Sequence, residues 1–418
     1  MLSLNAAIWG IAGLATFGVL ARPWNLPEFI WAVAGAALLV LMNLLSWPEA
    51  LTAAGKGIDV YFFLIGMMLL AEVAREEGLF DWLAARAVEL SRGSAKRLFL
   101  IVYVVGTFVT IFLSNDATAV VLTPAVYAAT RAAKVEPLPY LFICAFIANA
   151  ASFVLPISNP ANLVVFGKQM PPLLDWLRSF ALPSIAAIVA TYAALRLAQR
   201  RALDATVATV DDVSALKIGG KLAAFGIAGM AIVLLTASAL GWDLGLPTFI
   251  SGAAVAIAVL VIGRRSPLPM LRNISWSVLP LVAGLFVLVE GLSRTGALAD
   301  LGRLLKDAAT SSPHATSWIA GLAVAVASNL INNLPMGLIA ATTSQAAQVS
   351  TPVTAAILIG VDLGPNLSVT GSLATILWLI ALRRESENVT AMQFLKLGAI
   401  VMPAALVLAL VASSATSP

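Results

Sequence analysis

Eight long apolar runs, at residues 5–21, 27–46, 58–75, 181–199, 220–242, 246–263, 277–293 and 392–412, set the first limit on this chain. About 20 such residues carry a helix across a bilayer, and a soluble core has no room for eight runs of this length. The composition agrees: of 418 residues, 60% are hydrophobic and 11% charged, where soluble domains carry about a quarter charged residues. Short alternating strands, the mark of a membrane β-barrel, are absent. The first run has no basic flank before it and no small-residue cleavage site, so it is expected to stay as a helix rather than leave as a signal peptide. One cysteine, Cys144, excludes an internal disulfide and a thiolate cluster. One histidine, His314, excludes a histidine-based metal site. The net charge of +4 reads as a topology signal, not as nucleic-acid binding. No cofactor and no resident metal are expected.

Two further regions, 97–168 and 317–382, are apolar but interrupted. The interruptions are SND (114–116), PISNPAN (156–162), NNLP (332–335) and VDLGPNLSVTGS (361–372). They repeat. A shift of 218 residues lays Gly66 on Gly284, Glu72 on Glu290, Gly78 on Gly296 and Asn115 on Asn333. Each half therefore has an Asn-centred break followed by a Pro/Gly/Ser-rich one. Matching interruptions in two halves point to the binding site of a secondary transporter. The predicted architecture is an all-α polytopic membrane protein built as an inverted repeat, with about ten transmembrane helices, two re-entrant hairpins and two broken helices. Residues 1–199 form the first repeat, with a hairpin at 97–131 and a broken helix at 138–168. Residues 200–219 form a cytoplasmic linker. Residues 220–418 form the second repeat, with a hairpin at 317–348 and a broken helix at 353–382. Placing the basic-edged linker in the cytoplasm puts 19 of the 25 Lys and Arg inside, as the positive-inside rule requires. An odd number of crossings per half, hence inversion, follows.

Helices broken within a bilayer leave backbone groups that survive only in protein or beside a water-filled cavity. The half-helix N-terminus there offers oriented N–H donors. Asp116 is the sharpest candidate, because a carboxyl at this depth is costly and must be paired, hydrated or protonated. A proton carrier would use it so; the structural alternative is a helix N-cap by Ser114, Asn115 or Asp116. Asn115 and Asn333 are expected to touch a solute, or else to bond backbone at the hairpin tips. Asp362 opens the second interruption as an ion or proton site, or as a cap. Gly364 and Pro365 permit unwinding there, and Thr370 and Ser372 add hydroxyls. At a shift of 213, Asn149 falls on Asp362 and Asn159 on Ser372, so an amide replaces one acid of that pair. Glu72 and Glu290 sit near helix ends, where snorkelling or pairing with Arg accounts for them. Cys144 lies in an apolar run as a small core residue and is not expected to be essential.

The segments LSNDATAVVLTPAV, NLINNLPMGLI and above all GVDLGPNLSVTGSLATILWL resemble the ArsB-type arsenite/antimonite efflux permeases of the ion transporter superfamily, over about residues 58–400. That superfamily also holds sodium–proton antiporters and organic-anion carriers, which are the alternative function. Ala117 stands where members often carry Gly. The resemblance implies extrusion of trivalent arsenic or antimony across the cytoplasmic (inner) membrane of a prokaryote, coupled to proton entry. It implies substrate contacts at Asn115, Asn333, Gly364, Thr370 and Ser372, joined by Asn159 through the repeat, and proton coupling at Asp116 and Asp362. It admits a homodimer and a soluble ArsA-type ATPase as partners. Thiolate capture of As(III) wants about three sulfurs, and the chain has one. The expected cargo is therefore the hydroxide As(OH)3, held by amides, hydroxyls and backbone dipoles. An intramembrane enzyme is the remaining class, and neither HExxH nor GxGD is present.

Overall fold

The computed structural model describes residues 2–208 and 214–416. Residues 209–213 of the expected linker, together with Met1 and residues 417–418, lie outside the described residues. The first half comprises α1 (Leu2–Ala21), α2 (Glu28–Leu41), α3 (Trp47–Gly55), α4 (Ile58–Glu76), α5 (Leu79–Ser91), α6 (Ala95–Leu113), α7 (Asn115–Ala117), α8 (Thr123–Ala132), α9 (Leu138–Ala150), α10 (Pro160–Phe166) and α11 (Leu173–Ala198). The second comprises α12 (Ile218–Ala239), α13 (Gly245–Gly263), α14 (Leu268–Asn273), α15 (Val278–Arg294), α16 (Ala297–Ser311), α17 (Pro313–Ile331), α18 (Asn333–Ala347), α19 (Thr351–Leu363), α20 (Leu373–Arg384) and α21 (Ala391–Thr416). Among the described residues, eight helices are long and apolar enough to cross a membrane, or nine if α3 and α4, bent by 50°, form one span. The hairpin arms α6 and α17 are among the eight, whereas α2 has only 14 residues. The protein is an all-helical, multi-pass membrane protein.

Polar contacts sort the helix ends into two faces. On the linker face, Glu77 pairs with Arg265 at 2.9 Å, and the backbone N–H groups of Val207 and Ala208 bond the carbonyls of Gly93 and Ala133. Gly93 precedes α6 and Ala133 follows α8. Both ends of the first hairpin therefore reach the same strip of linker, so the chain enters and leaves the hairpin on one face. On the opposite face, Lys56 pairs with Glu290 at 2.6 Å, Arg294 pairs with Glu49, and the Gly245 N–H donates to Asp59 at 2.7 Å. So α4 runs toward the linker face, while its counterpart α15 runs away from it. Equivalent helices point in opposite directions, which is the inversion expected from charge alone.

Small residues let the halves interlock. A Cβ added at Gly66 of α4 would meet the Thr248 carbonyl oxygen of α13 at 2.3 Å. A Cβ added at the equivalent Gly284 of α15 would meet the Ala32 backbone of α2 at 2.8 Å. Each is a backbone-to-backbone crossing of the kind small residues permit in membranes. Helices α11 and α21 pack along each other between the halves. The first hairpin turns at Ser114, with φ 94°, and the second at the equivalent Asn332, with φ 73°. After the first tip, Thr118–Leu122 is π-helical just before Pro124. Pro124 cannot donate to the preceding turn, and widening the helix accommodates it.

Candidate functional site

The two broken helices cross at the centre of the molecule, α9 breaking into α10 and α19 into α20. Unwound carbonyls in a membrane interior need donors, and side-chain amides supply them. Asn162 Nδ2 donates to the Ser152 carbonyl at 2.8 Å. Asn329 Nδ2 donates to the Gly364 carbonyl at 2.9 Å. The second hairpin tip is tied to the second break: Asn332 Nδ2 donates to the Thr370 carbonyl at 3.1 Å, and the Asn333 N–H to the Gly371 carbonyl at 2.8 Å. The half-helices are capped as their sequence permits. Asn159 accepts from the Ala161 N–H at 3.0 Å, and Ser372 from the Thr375 N–H at 3.1 Å. Asn159 and Ser372 thus occupy equivalent places.

The breaks bond each other directly. Asn159 Nδ2 donates to Asp362 Oδ1 at 2.8 Å, and Asn149 Nδ2 to Asn366 Oδ1 at 2.9 Å. Asp362 is fully buried. It lies in the last turn of α19, just before the chain leaves the helix at Gly364, so its carboxyl is near a helix C-terminus, where negative charge is disfavoured. The Asn159 bond offsets this. Asn159→Leu should destabilise the protein by about 2 kcal/mol, because it leaves a buried carboxyl oxygen without a donor; chemical unfolding in detergent would measure it, and an unchanged midpoint would refute it.

Unmet acceptors concentrate here. Among the described residues, the buried amide and carboxyl oxygens without a hydrogen-bond donor are those of Asn115, Asn149, Asn162, Asn333 and Asp362 (its Oδ2). Every one lies on a hairpin tip or a break. Asn115 and Asn333, read from the repeat, present equivalent oxygens at the two tips.

Two cavities flank this centre. The one toward the linker face, of about 80 Å³, is lined by Ser114 and Asp116 of the first tip, Met68 and Glu72 of α4, Pro160, and Ile274. Asp116 sits in the first turn after the break without a side-chain capping bond. The cap-only reading is therefore not the arrangement found. Glu72 makes the expected pair with an arginine, accepting from Arg75 through both oxygens at 2.8 and 2.5 Å, but it is buried and lines this cavity rather than snorkelling. The cavity toward the opposite face is about 1200 Å³ and is lined by Lys56, Asp59, Asp243, Glu290, Thr342 and Gln345, among others. Glu290 finds a lysine there rather than an arginine.

Other sequence candidates fall in different roles. Gly364 packs: a Cβ there would meet the Ala325 carbonyl oxygen at 2.3 Å. The Thr370 hydroxyl donates to the Asn329 carbonyl at 3.3 Å. Cys144 is fully buried, 3.9 Å from the Tyr140 carbonyl oxygen. Asn329 and Asn366 carry much of the site's bonding and were not singled out as site residues. Both lie inside segments that stand out in the sequence, Asn329 at the head of NLINNLPMGLI and Asn366 within VDLGPNLSVTGS, but nothing local ranks them above their neighbours.

The profile of the family described as "Citrate transporter" matches residues 15–361. The chain is 27% identical over 353 residues to the "Arsenical pump membrane protein" of Escherichia coli, covering 81% of each chain. It is 28% identical over 353 residues, with the same coverage, to the protein of that name in Yersinia enterocolitica. Among solved structures, the Alcanivorax borkumensis YdaH transporter shares the fold, with a TM-score of 0.52, 18% identity and 87% of each chain covered.

Proposed function

The chain belongs to the citrate-transporter family, and on that premise we propose that this multi-pass inner-membrane transporter extrudes arsenite and antimonite in exchange for protons. The observation that carries the reading is the set of unmet oxygens on the tips and breaks. A ligand that satisfies acceptors must bring donors. As(OH)3 brings three O–H groups and no charge, whereas citrate brings one hydroxyl donor beside three negatively charged carboxylates. The two cavities support the same choice. Asp116 lines one, beside a Glu72 that Arg75 neutralises, and Asp59 and Asp243 line the other, beside the Lys56–Glu290 pair. The single cation among these linings, Lys56, is neutralised by Glu290. Citrate would enter against like charge.

In this reading Asn115, Asn333, Asn159, Thr370 and Ser372 frame the metalloid's path, Gly364 keeps the backbones close, and Asp116 and Asp362 take and release the proton. The similarly named arsenical pump proteins support the metalloid as cargo. By the same resemblance, a soluble ArsA-type ATPase would meet the linker face, where Arg200, Arg201 and Lys217 are exposed.

The test is arsenite uptake into everted vesicles with and without a proton gradient. Gradient-driven uptake is expected. Sodium-dependent proton flux without arsenite movement would instead make the chain a cation antiporter. Citrate uptake would return it to the family's descriptive substrate. Cys144→Ser should retain nearly full arsenite uptake in the same vesicles; its loss would mean that sulfur takes part in capture.

A further inference from the structure

On the linker-face half, an apolar groove of about 750 Å³ opens between α12 and the first arm of the first hairpin. Phe108 and Phe112 of α6, Leu79 and Leu83 of α5, and Ala224 and Phe225 of α12 form its walls. Phe225 is 76% exposed and Phe108 58%. Two polar groups interrupt this lining. Lys221, in the first turn of α12, is exposed and forms none of the ion pairs found among the described residues. The Trp82 indole Nε1 is buried and has no acceptor among the described residues.

We propose that the groove binds one phospholipid of the linker-side leaflet, with an acyl chain along the aromatic wall and its phosphate on Lys221. Depth supports this. The neighbouring Gly219 and Gly220 lie against Glu77, which pairs with Arg265, so Lys221 stands at the charged belt where headgroups sit. From Lys221 to Ile227 the lining follows α12 inward for about 9 Å at 1.5 Å per residue, into a hydrocarbon leaflet roughly 15 Å deep. A cation at the rim of an apolar slot matches a lipid's own order of phosphate and tail. A second copy of the chain would press apolar membrane-facing surface onto exposed Lys221 and leave its charge unpaired, at a cost. The seated lipid touches both the arm leading to Asp116 and the helix that packs against α4 and α13, so it bridges the hairpin and the helices around which that hairpin is arranged.

Native mass spectrometry of the purified full chain, titrated with phosphatidylglycerol, tests this. Wild type should retain one phosphatidylglycerol more tightly than phosphatidylcholine. Lys221→Gln should lower that affinity about fivefold, the effect of one basic residue at an anionic surface. Lys221→Arg should restore it. Ala224→Trp, which fills the slot, should remove the bound lipid while far-ultraviolet circular dichroism stays that of wild type. Equal retention of both lipids by wild type, or unchanged phosphatidylglycerol binding in Lys221→Gln and Ala224→Trp, would overturn the proposal. So would cross-linking between copies through Phe225→Cys in a Cys144→Ser background, because a second chain would then occupy the groove.

Discussion

Everted vesicles carrying Asp116→Asn are expected to take up arsenite no faster than vesicles without the protein when a proton gradient is applied. Asp116 stands in the linker-face cavity beside Ser114, Glu72 and Ile274, with no side-chain capping bond. The substitution therefore removes no structural bond seen in the fold, and asparagine keeps the size of the side chain. What it removes is a group that can carry a proton. Glu72 cannot substitute, because Arg75 holds both of its oxygens. A loss of transport with an unchanged unfolding midpoint would fit proton carriage. Full gradient-driven uptake by the variant would shift that role to Asp362 alone.

The first tip is also the part of the site most legible in the sequence. An amide and a carboxyl inside an apolar run, repeated in part 218 residues later, have few explanations in a bilayer. In the fold Asn115 and Asn333 each open the helix that follows the turn, and the turn residues Ser114 and Asn332 both have positive φ. The direction of the halves was legible because Lys and Arg distribution reports topology. Cross-repeat bonding was not. Asn159 and Asp362 are 203 residues apart, and their contact depends on how two broken helices cross, which no local pattern encodes. The Arg75 partner of Glu72 follows from its place near the end of α4, but its burial does not, because Ile274 and the first hairpin tip line the same cavity there. Gly364 opens the turn that leaves α19, and its missing Cβ also admits the Ala325 carbonyl, a contact that the sequence does not announce.

Cysteine labelling should show a large difference between the two cavities, although the repeat makes them equivalents. Glu72 corresponds to Glu290, Met68 to Phe286 and Val120 to Leu338, and each pair lines the two cavities in the same order. Yet one holds about 80 Å³ and the other about 1200 Å³. Equivalent surfaces in unequal states are what alternating access around inverted repeats requires, and here the face opposite the linker is the open one. In a Cys144→Ser background, Thr342→Cys should react with a membrane-impermeant maleimide from outside intact cells. Val120→Cys, probed in everted vesicles, should react about tenfold more slowly or less, because it is reached only from the minor conformation. Fully buried Cys144 contributes no background even before its removal. Arsenite supplied on the linker side should speed labelling of Val120→Cys and slow that of Thr342→Cys, since a ligand shifts an equilibrium only by preferring one state. Equal rates at the two positions, unmoved by arsenite, would mean that the cavities are not two ends of one path, and that the outer one serves some purpose other than release.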